Sequence, residues 1–269
     1  MEHAFTKLTR QVAAVVAAVL CTSGGVLAQD VTLKLSFNQP ETSASWQRVY
    51  EVYAQDLETL SGNRIKVDRY PNSVLHSVAD GFKALVSGIT DITAAYPIYT
   101  ASSFDLIHAN ELPHALPDND FAAVRLVSEL YPEFYRREYE RMGVYLAFAG
   151  VNGSYDIMTK KPINSLDDLK GLKLRAAGGT LTKVAENLGA VPVNITIADA
   201  YSAFQQGVVD GIFLSSGDMV AYNLHDIGTH VYRTGISRVF VPTAMRQGMY
   251  DDLPQDLKDV VAQAGRNAA

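Results

Sequence analysis

Asp80-Gly-Phe-Lys-Ala-Leu-Val-Ser-Gly88-Ile-Thr-Asp91 and Asp199-Ala-Tyr-Ser-Ala-Phe-Gln-Gln-Gly207-Val-Val-Asp210 can be laid on one another without a gap. The terminal aspartates, Ala84/Ala203 and Gly88/Gly207 coincide, and Phe82/Tyr201, Leu85/Phe204 and Ile89/Val208 match in kind. Each copy follows an apolar stretch and a turn containing Asn72 or Asn194. Each also reads as a helix stopped by a glycine at its C-terminus, the residue that tolerates a left-handed turn, followed at once by a strand. Taken as a repeat, the two stretches imply two similar lobes, and clefts between lobes are favoured ligand sites. The residues alone leave a second reading open, in which such junctions recur independently in one α/β chain.

Outward from the first copy, Val31 to Phe37 reads as a strand, and Ser43 to Leu60 places Trp46, Val49, Tyr50, Tyr53, Leu57 and Leu60 on one helix face. Ile65 to Tyr70 is a second strand, closed by Pro71-Asn72. A helix near Val78 to Val86 and a strand from Ile89 to Ala95 follow, then a long amphipathic helix over Phe121 to Met142 and a strand over Val144 to Val151. Strands alternating with helices predict an α/β fold in which each lobe is a mixed, mostly parallel sheet flanked by helices.

The chain has 269 residues, 48% of them apolar, and a formal charge of −6. That length suits one large domain or two modest ones, and the acidic balance excludes a nucleic-acid footprint. Residues 1–28 differ from the rest: Lys7 and Arg10 precede an unbroken apolar run from Val12 to Leu20, and Val26-Leu27-Ala28 offers a cleavage site. This pattern predicts a secretory signal peptide rather than a membrane span. Its removal takes away Glu2, Lys7 and Arg10, moving the net charge from −6 to −7, together with Cys21, the single cysteine. A lipoprotein reading of Cys21 is weakened by the bulky Leu20 before it. The remaining chain then needs no disulfide, and its core alone holds the fold.

Motifs for catalysis are absent from the sequence: no G-x-S-x-G, no phosphate loop, no H-E-x-x-H and no C-x-x-C. No catalytic residue, cofactor or metal site is expected. His108 and His114 are six apart, off the spacing for a shared helix face, and Asp118-Asn119-Asp120 reads as a turn and helix cap rather than a calcium loop. Gly178-Gly179 reads either as a plain turn or as a place where backbone approaches an anion at a helix start. Arg175 ends the alternating strand Leu172-Lys-Leu-Arg175 before Ala176-Ala177-Gly178-Gly179. The carboxyl end of a strand in an open α/β sheet borders the ligand crevice, and a guanidinium offers paired donors to one carboxylate. Two readings of Arg175 stand here: an inward-facing anion hook, or a surface arginine paired with a nearby aspartate.

Lys161-Pro-Ile-Asn-Ser-Leu-Asp-Asp-Leu-Lys-Gly-Leu-Lys-Leu-Arg175, Leu188-Gly-Ala-Val-Pro192 and Ala203-Phe-Gln-Gln-Gly-Val-Val-Asp-Gly211 resemble the solute-binding subunits of tripartite ATP-independent periplasmic (TRAP) transporters, dicarboxylate-transporter type. Leu35-Ser-Phe-Asn38, Tyr70-Pro-Asn-Ser73 and Gly88-Ile-Thr-Asp-Ile92 agree. The resemblance implies a two-lobed periplasmic binding protein that holds a small organic acid in the cleft and hands it to TRAP membrane permease subunits, touching the membrane only through them. It implies lobe I over 29–151, lobe II over 152–239 and a return to lobe I over 240–269. Family members continue for some tens of residues with a helix bracing both lobes, so the last segment is expected to lack its C-terminal part.

By the same resemblance Arg175 grips the substrate carboxylate, and Asn38, Tyr96, Tyr155, Phe213 and Gly178 surround the ligand. Tyr155 stands where acid-sugar-binding members carry a second arginine and Leu214 where they carry an asparagine, which argues against sialic acid. Tyr96, Tyr99, Tyr155 and Phe213 imply aromatic walls and a keto, hydroxy or aromatic acid as ligand. Two rival functions remain in view: the binding subunit of another uptake or sensing system, and a periplasmic enzyme using Asp91 or Asp210 as base.

Overall fold

The computed structural model describes residues 31–269; the predicted signal peptide, with Cys21, lies outside the described residues. Two five-stranded sheets form, in the orders β2-β1-β3-β10-β4 and β7-β6-β8-β5-β9. The first contains β1 (Val31–Ser36), β2 (Ile65–Tyr70), β3 (Ile92–Thr93), β4 (Val144–Val151) and β10 (Phe240–Arg246). The second contains β5 (Tyr155–Thr159), β6 (Lys173–Ala176), β7 (Val191–Asn194), β8 (Gly211–Ser215) and β9 (His230–Tyr232). The sheets are mixed: β1/β3, β6/β7 and β6/β8 are parallel, whereas β10 and β5 run antiparallel to both of their neighbours.

The repeat is real at the level of single hydrogen bonds. In lobe I, helix α2 (Gly81–Val86), second after α1 (Glu51–Leu60), leads through Gly88 to Asp91. Asp91 N–H donates to the Lys34 carbonyl at 3.0 Å and Asp91 Oδ2 accepts from Lys34 N–H at 3.0 Å. In lobe II the helix Ala200–Gln206 leads through Gly207 to Asp210, whose N–H donates to Lys173 O at 2.8 Å and whose Oδ2 accepts from Lys173 N–H at 3.0 Å. Gly88 and Gly207 take nearly identical left-handed turns, φ +74° and +76°. Ser77 and Thr196 hydroxyls donate to Asp80 and Asp199 at 2.6 and 2.7 Å. This register makes Ser36 the structural counterpart of Arg175.

Several elements differ from the sequence reading. The strand expected over Ile89 to Ala95 pairs only at Ile92–Thr93. Ile89 and Thr90 N–H groups both turn back to the Ala84 carbonyl, and the Ala95 carbonyl accepts from the Tyr139 hydroxyl instead of a strand. The helix expected over Phe121 to Met142 is split into α3 (Asp120–Leu130) and α4 (Arg136–Arg141) by a π-turn over Tyr131–Tyr135. Pro132, which has no N–H to donate, sits in that turn. A second π-turn, Trp46–Tyr50, replaces the start of the helix expected over Ser43 to Leu60. Asn119 does cap α3, its side chain accepting from Ala122 N–H at 3.0 Å.

Each lobe has its own core. Phe82, Leu85, Phe104, Tyr139 and Phe240 fill lobe I; Leu174, Leu181, Phe204, Ile212 and Phe213 fill lobe II. The chain crosses between the sheets twice, after β4 and after β9, and the two crossings are bonded side by side through Asn152 N to Val239 O at 2.9 Å and Tyr155 N to Ser237 O at 2.8 Å. Arg238 locks this hinge: its side chain is buried and donates to Asp120 Oδ1 at 2.7 Å, Asn152 O at 3.2 Å and Asp118 O at 2.5 Å. Among the described residues no helix is long and apolar enough to cross a membrane.

Candidate functional site

Between the sheets lies a small cavity of about 40 Å³, lined by residues of both lobes. Arg175 lines it and is only 1% exposed. Strand β6 puts it there: Leu174 and Ala176 point into the lobe II core, and alternation turns Arg175 to the other face. The guanidinium is held from behind, Nε donating to Ile195 O at 2.8 Å and Nη1 to Phe213 O at 3.5 Å. None of the ion pairs among the described residues involves it. The reading of Arg175 as a surface residue paired with an aspartate therefore fails. A buried guanidinium without a counter-ion costs several kcal/mol, which a bound anion offsets.

Asn38, Tyr96 and Tyr155 line the same cavity, together with Tyr99 and Leu214. Burial pushes the Tyr96, Tyr99 and Tyr155 hydroxyls up, so all three stay protonated donors; for Tyr99 the adjacent Arg175 charge partly opposes this. Asn38 reaches across the lobes, its Nδ2 donating to the Tyr222 hydroxyl at 2.7 Å. Two expected residues do not line the cavity. Phe213 is fully buried in the lobe II core, edge-on to Tyr155 with ring centroids 5.6 Å apart, and acts on the site through its carbonyl. Gly178, at φ +112°, starts helix α5 (Gly179–Asn187), and a Cβ there would come within 3.3 Å of the Ile98 carbonyl oxygen. Gly178 thus packs closely against the Ile98 and Asn194 segments.

Sequence reasoning missed Gln39, Asn152 and Asp218, which line the same cavity as Arg175. Asp218 Oδ1 accepts from Gln39 Nε2 at 2.8 Å, and Oδ2 accepts from Ser215 Oγ at 2.7 Å and Asn152 Nδ2 at 2.9 Å. Desolvation raises its carboxyl above the usual range, against the opposing pull of the Ser215 bond, the Arg175 charge and the Gln39 bond. One signal for it was readable: Ser215-Ser-Gly-Asp218 has the spacing of a helix cap, and Ser215 does accept from Asp218 N–H at 3.2 Å. His108 lies beside the buried Glu111 at 3.0 Å, away from the cavity. No cluster of three or more metal-ligating side chains occurs among the described residues.

The description of bacterial extracellular solute-binding proteins, family 7, matches residues 35–269. The chain belongs to this family. The C4-dicarboxylate-binding periplasmic protein of Vibrio cholerae is 29% identical over 201 residues, covering 72% of this chain and 58% of that one. Among solved structures, an extracytoplasmic solute receptor of Bordetella pertussis that binds pyroglutamic acid superposes with a TM-score of 0.81 at 19% identity, covering 88% of this chain and 78% of the other. A marine-metagenome TRAP solute-binding protein specific for aromatic acids, in complex with 3-hydroxybenzoate, gives 0.81 at 23% identity and 89% and 78% coverage. The two-lobed architecture is thus that of the family-7 receptors, and the cavity described above occupies the space between its lobes.

Proposed function

We propose that this chain is the periplasmic capture subunit of a TRAP transporter, closing around a small organic acid and passing it to the membrane permease without altering it. The observation that carries this reading is the buried Arg175 guanidinium, unpaired with any carboxylate among the described residues, at the wall of the cavity between the sheets. Asn38, Tyr96 and Tyr155 contact the bound acid; Phe213 and Gly178 support the pocket from behind. The signal peptide over 1–28 directs export, and the chain divides into lobe I over 29–151, lobe II over 152–239 and a return to lobe I from 240 onward.

The enzyme reading is disfavoured by the aspartates it relied on. Asp91 and Asp210 are both bonded to strand backbone in matching places, Asp91 also to Arg246 at 2.9 Å. Neither lines the cavity.

The test is calorimetry of the purified protein against an organic-acid library selected by thermal shift. Arg175→Ala and Arg175→Lys are each expected to weaken the best acid by about two to four powers of ten, the equivalent of ~3–5 kcal/mol for breaking a desolvated pair. The lysine variant, whose compact charge cannot reproduce the guanidinium fork, guards against a loss due to misfolding alone. Wild-type affinity in either folded variant overturns the assignment.

A further inference from the structure

We propose that Asp218 makes this cavity selective for monocarboxylic acids that carry an N–H or O–H donor away from the acid group, and against dicarboxylates. The inference rests on the capture reading above and concerns the same site.

Only two residues lining the cavity carry charge, Arg175 and Asp218. A ligand carboxylate on Arg175 therefore leaves Asp218 as the dominant charge for the rest of the molecule. No cation pairs with Asp218 among the described residues. A carboxylate offers about four lone-pair sites. Three are taken, two of them on Oδ2, so one site on Oδ1 is left for a donor.

The neighbouring amide points to the same chemistry. A carboxylate accepts and cannot donate, so it fixes the Gln39 side chain with Nε2 toward Asp218 and Oε1 away from it. That Oε1 is buried and has no partner, on a residue lining the cavity. An unmatched buried acceptor is costly until a donor reaches it. Asp218 and Gln39 together form an acceptor wall. A hydroxyl, an amide N–H or an ammonium satisfies that wall. A second ligand carboxylate meets it with acceptors alone and with like charge in a desolvated space.

The wall also separates this chain from what the name of its Vibrio cholerae relative implies, since that protein binds C4-dicarboxylates. It agrees in kind with pyroglutamate, which has one carboxylate and one amide N–H, and with 3-hydroxybenzoate, which has one carboxylate and one hydroxyl.

The experiment is calorimetry of the purified chain with matched probes: 3-hydroxybenzoate against benzoate, pyroglutamate against cyclopentanecarboxylate, and succinate as the dicarboxylate. Within at least one pair the donor-bearing acid is expected to bind about tenfold or more tighter, the discrimination of a site whose polar groups are left unpaired by the analogue. Succinate is expected to bind no better than the donor-free acids. Asp218→Asn, checked for an unchanged circular dichroism spectrum and cooperative melting, should shrink that ratio and improve succinate binding. Equal affinities within both pairs, succinate as the best ligand, or an unchanged ratio in Asp218→Asn each overturn the inference while leaving acid capture by Arg175 standing. If none of these acids binds, or if all bind equally well to Arg175→Lys, the capture reading itself fails and takes this inference with it.

Discussion

The two lobes carry the same strand–helix–strand unit and put different chemistry on it. Backbone, glycine turn and bracing aspartate coincide, down to the reciprocal bonds between Lys34 and Asp91 and between Lys173 and Asp210. Two positions after the lysine, lobe I has Ser36 and lobe II has Arg175. Ser36 joins a hydrogen-bond network with His76 at 2.7 Å and Thr90 at 3.0 Å. In lobe II the counterparts of Thr90 and Thr93 are Val209 and Ile212, and the arginine is left without a side-chain counter-ion. The scaffold residues are therefore shared because they build the fold. Arg175, the residue proposed to read the ligand, stands at a position where the two copies part.

The strongest challenge to this contrast is a paired substitution. Arg175→Lys should lower affinity for the best organic acid by about 10²- to 10⁴-fold. Ser36→Ala should leave affinity within about twofold while lowering stability by ~1–2 kcal/mol through the lost hydrogen bonds. A comparable loss of binding from both would break the assignment of function to one copy. Urea melts of the bracing aspartates sharpen it next. Asp91 is 5% exposed and paired with Arg246, whereas Asp210 is exposed. Asp91→Ala should cost ~2–3 kcal/mol and Asp210→Ala ~1 kcal/mol, with ligand affinity retained in both; equal costs would show that burial does not set the difference.

Smaller still is the effect of the turns. Gly88→Ala and Gly207→Ala have open space around the added methyl group, so only the left-handed conformation is strained. Each should cost ~1–2 kcal/mol, and the two values should agree within a few tenths. The smallest effect concerns a feature lobe II lacks, the Arg69 clamp on Glu51 and Glu58. Hydrogen bonding to Arg69 holds the Glu58 carboxyl below its usual range. Its stabilisation is therefore present above the ordinary glutamate pKa and is lost as pH falls through the lowered value. Glu58→Gln should cost less than ~1 kcal/mol near pH 7, screened by its partial exposure, and progressively less on acidification through the lowered value; a difference that does not shrink as the pH is lowered would contradict the charge-based explanation.

Local order was the legible part of the sequence. The helix–glycine–strand repeat, the limits of β2 and β4 and the Asn119 cap follow from short-range pattern; the inward face of Arg175 does not, since the residues alone left a surface reading open and only its burial decides. Asp218, Gln39 and Asn152 did not, because they are 179 and 66 positions apart in sequence and only the closed arrangement brings them together. Phe213 lies in the lobe II core and not among the residues lining the cavity, for a related reason: aromatic character says that a residue is buried, not which of two faces of a strand buries it. The π-turn at Pro132 broke a periodicity that otherwise ran on correctly.

The return of β10 has a consequence for how the molecule is made. Its place in the first sheet is between β3 and β4, and it is joined to both. All five strands of the other sheet come from one continuous stretch, Tyr155 to Tyr232. On a chain released from its N-terminus onward, lobe II can complete its sheet as soon as it emerges, while lobe I waits, its slot between β3 and β4 empty, until Phe240–Arg246 arrives. The half that carries Arg175 can thus mature first, with assembly of the cleft timed by the segment that closes the other half.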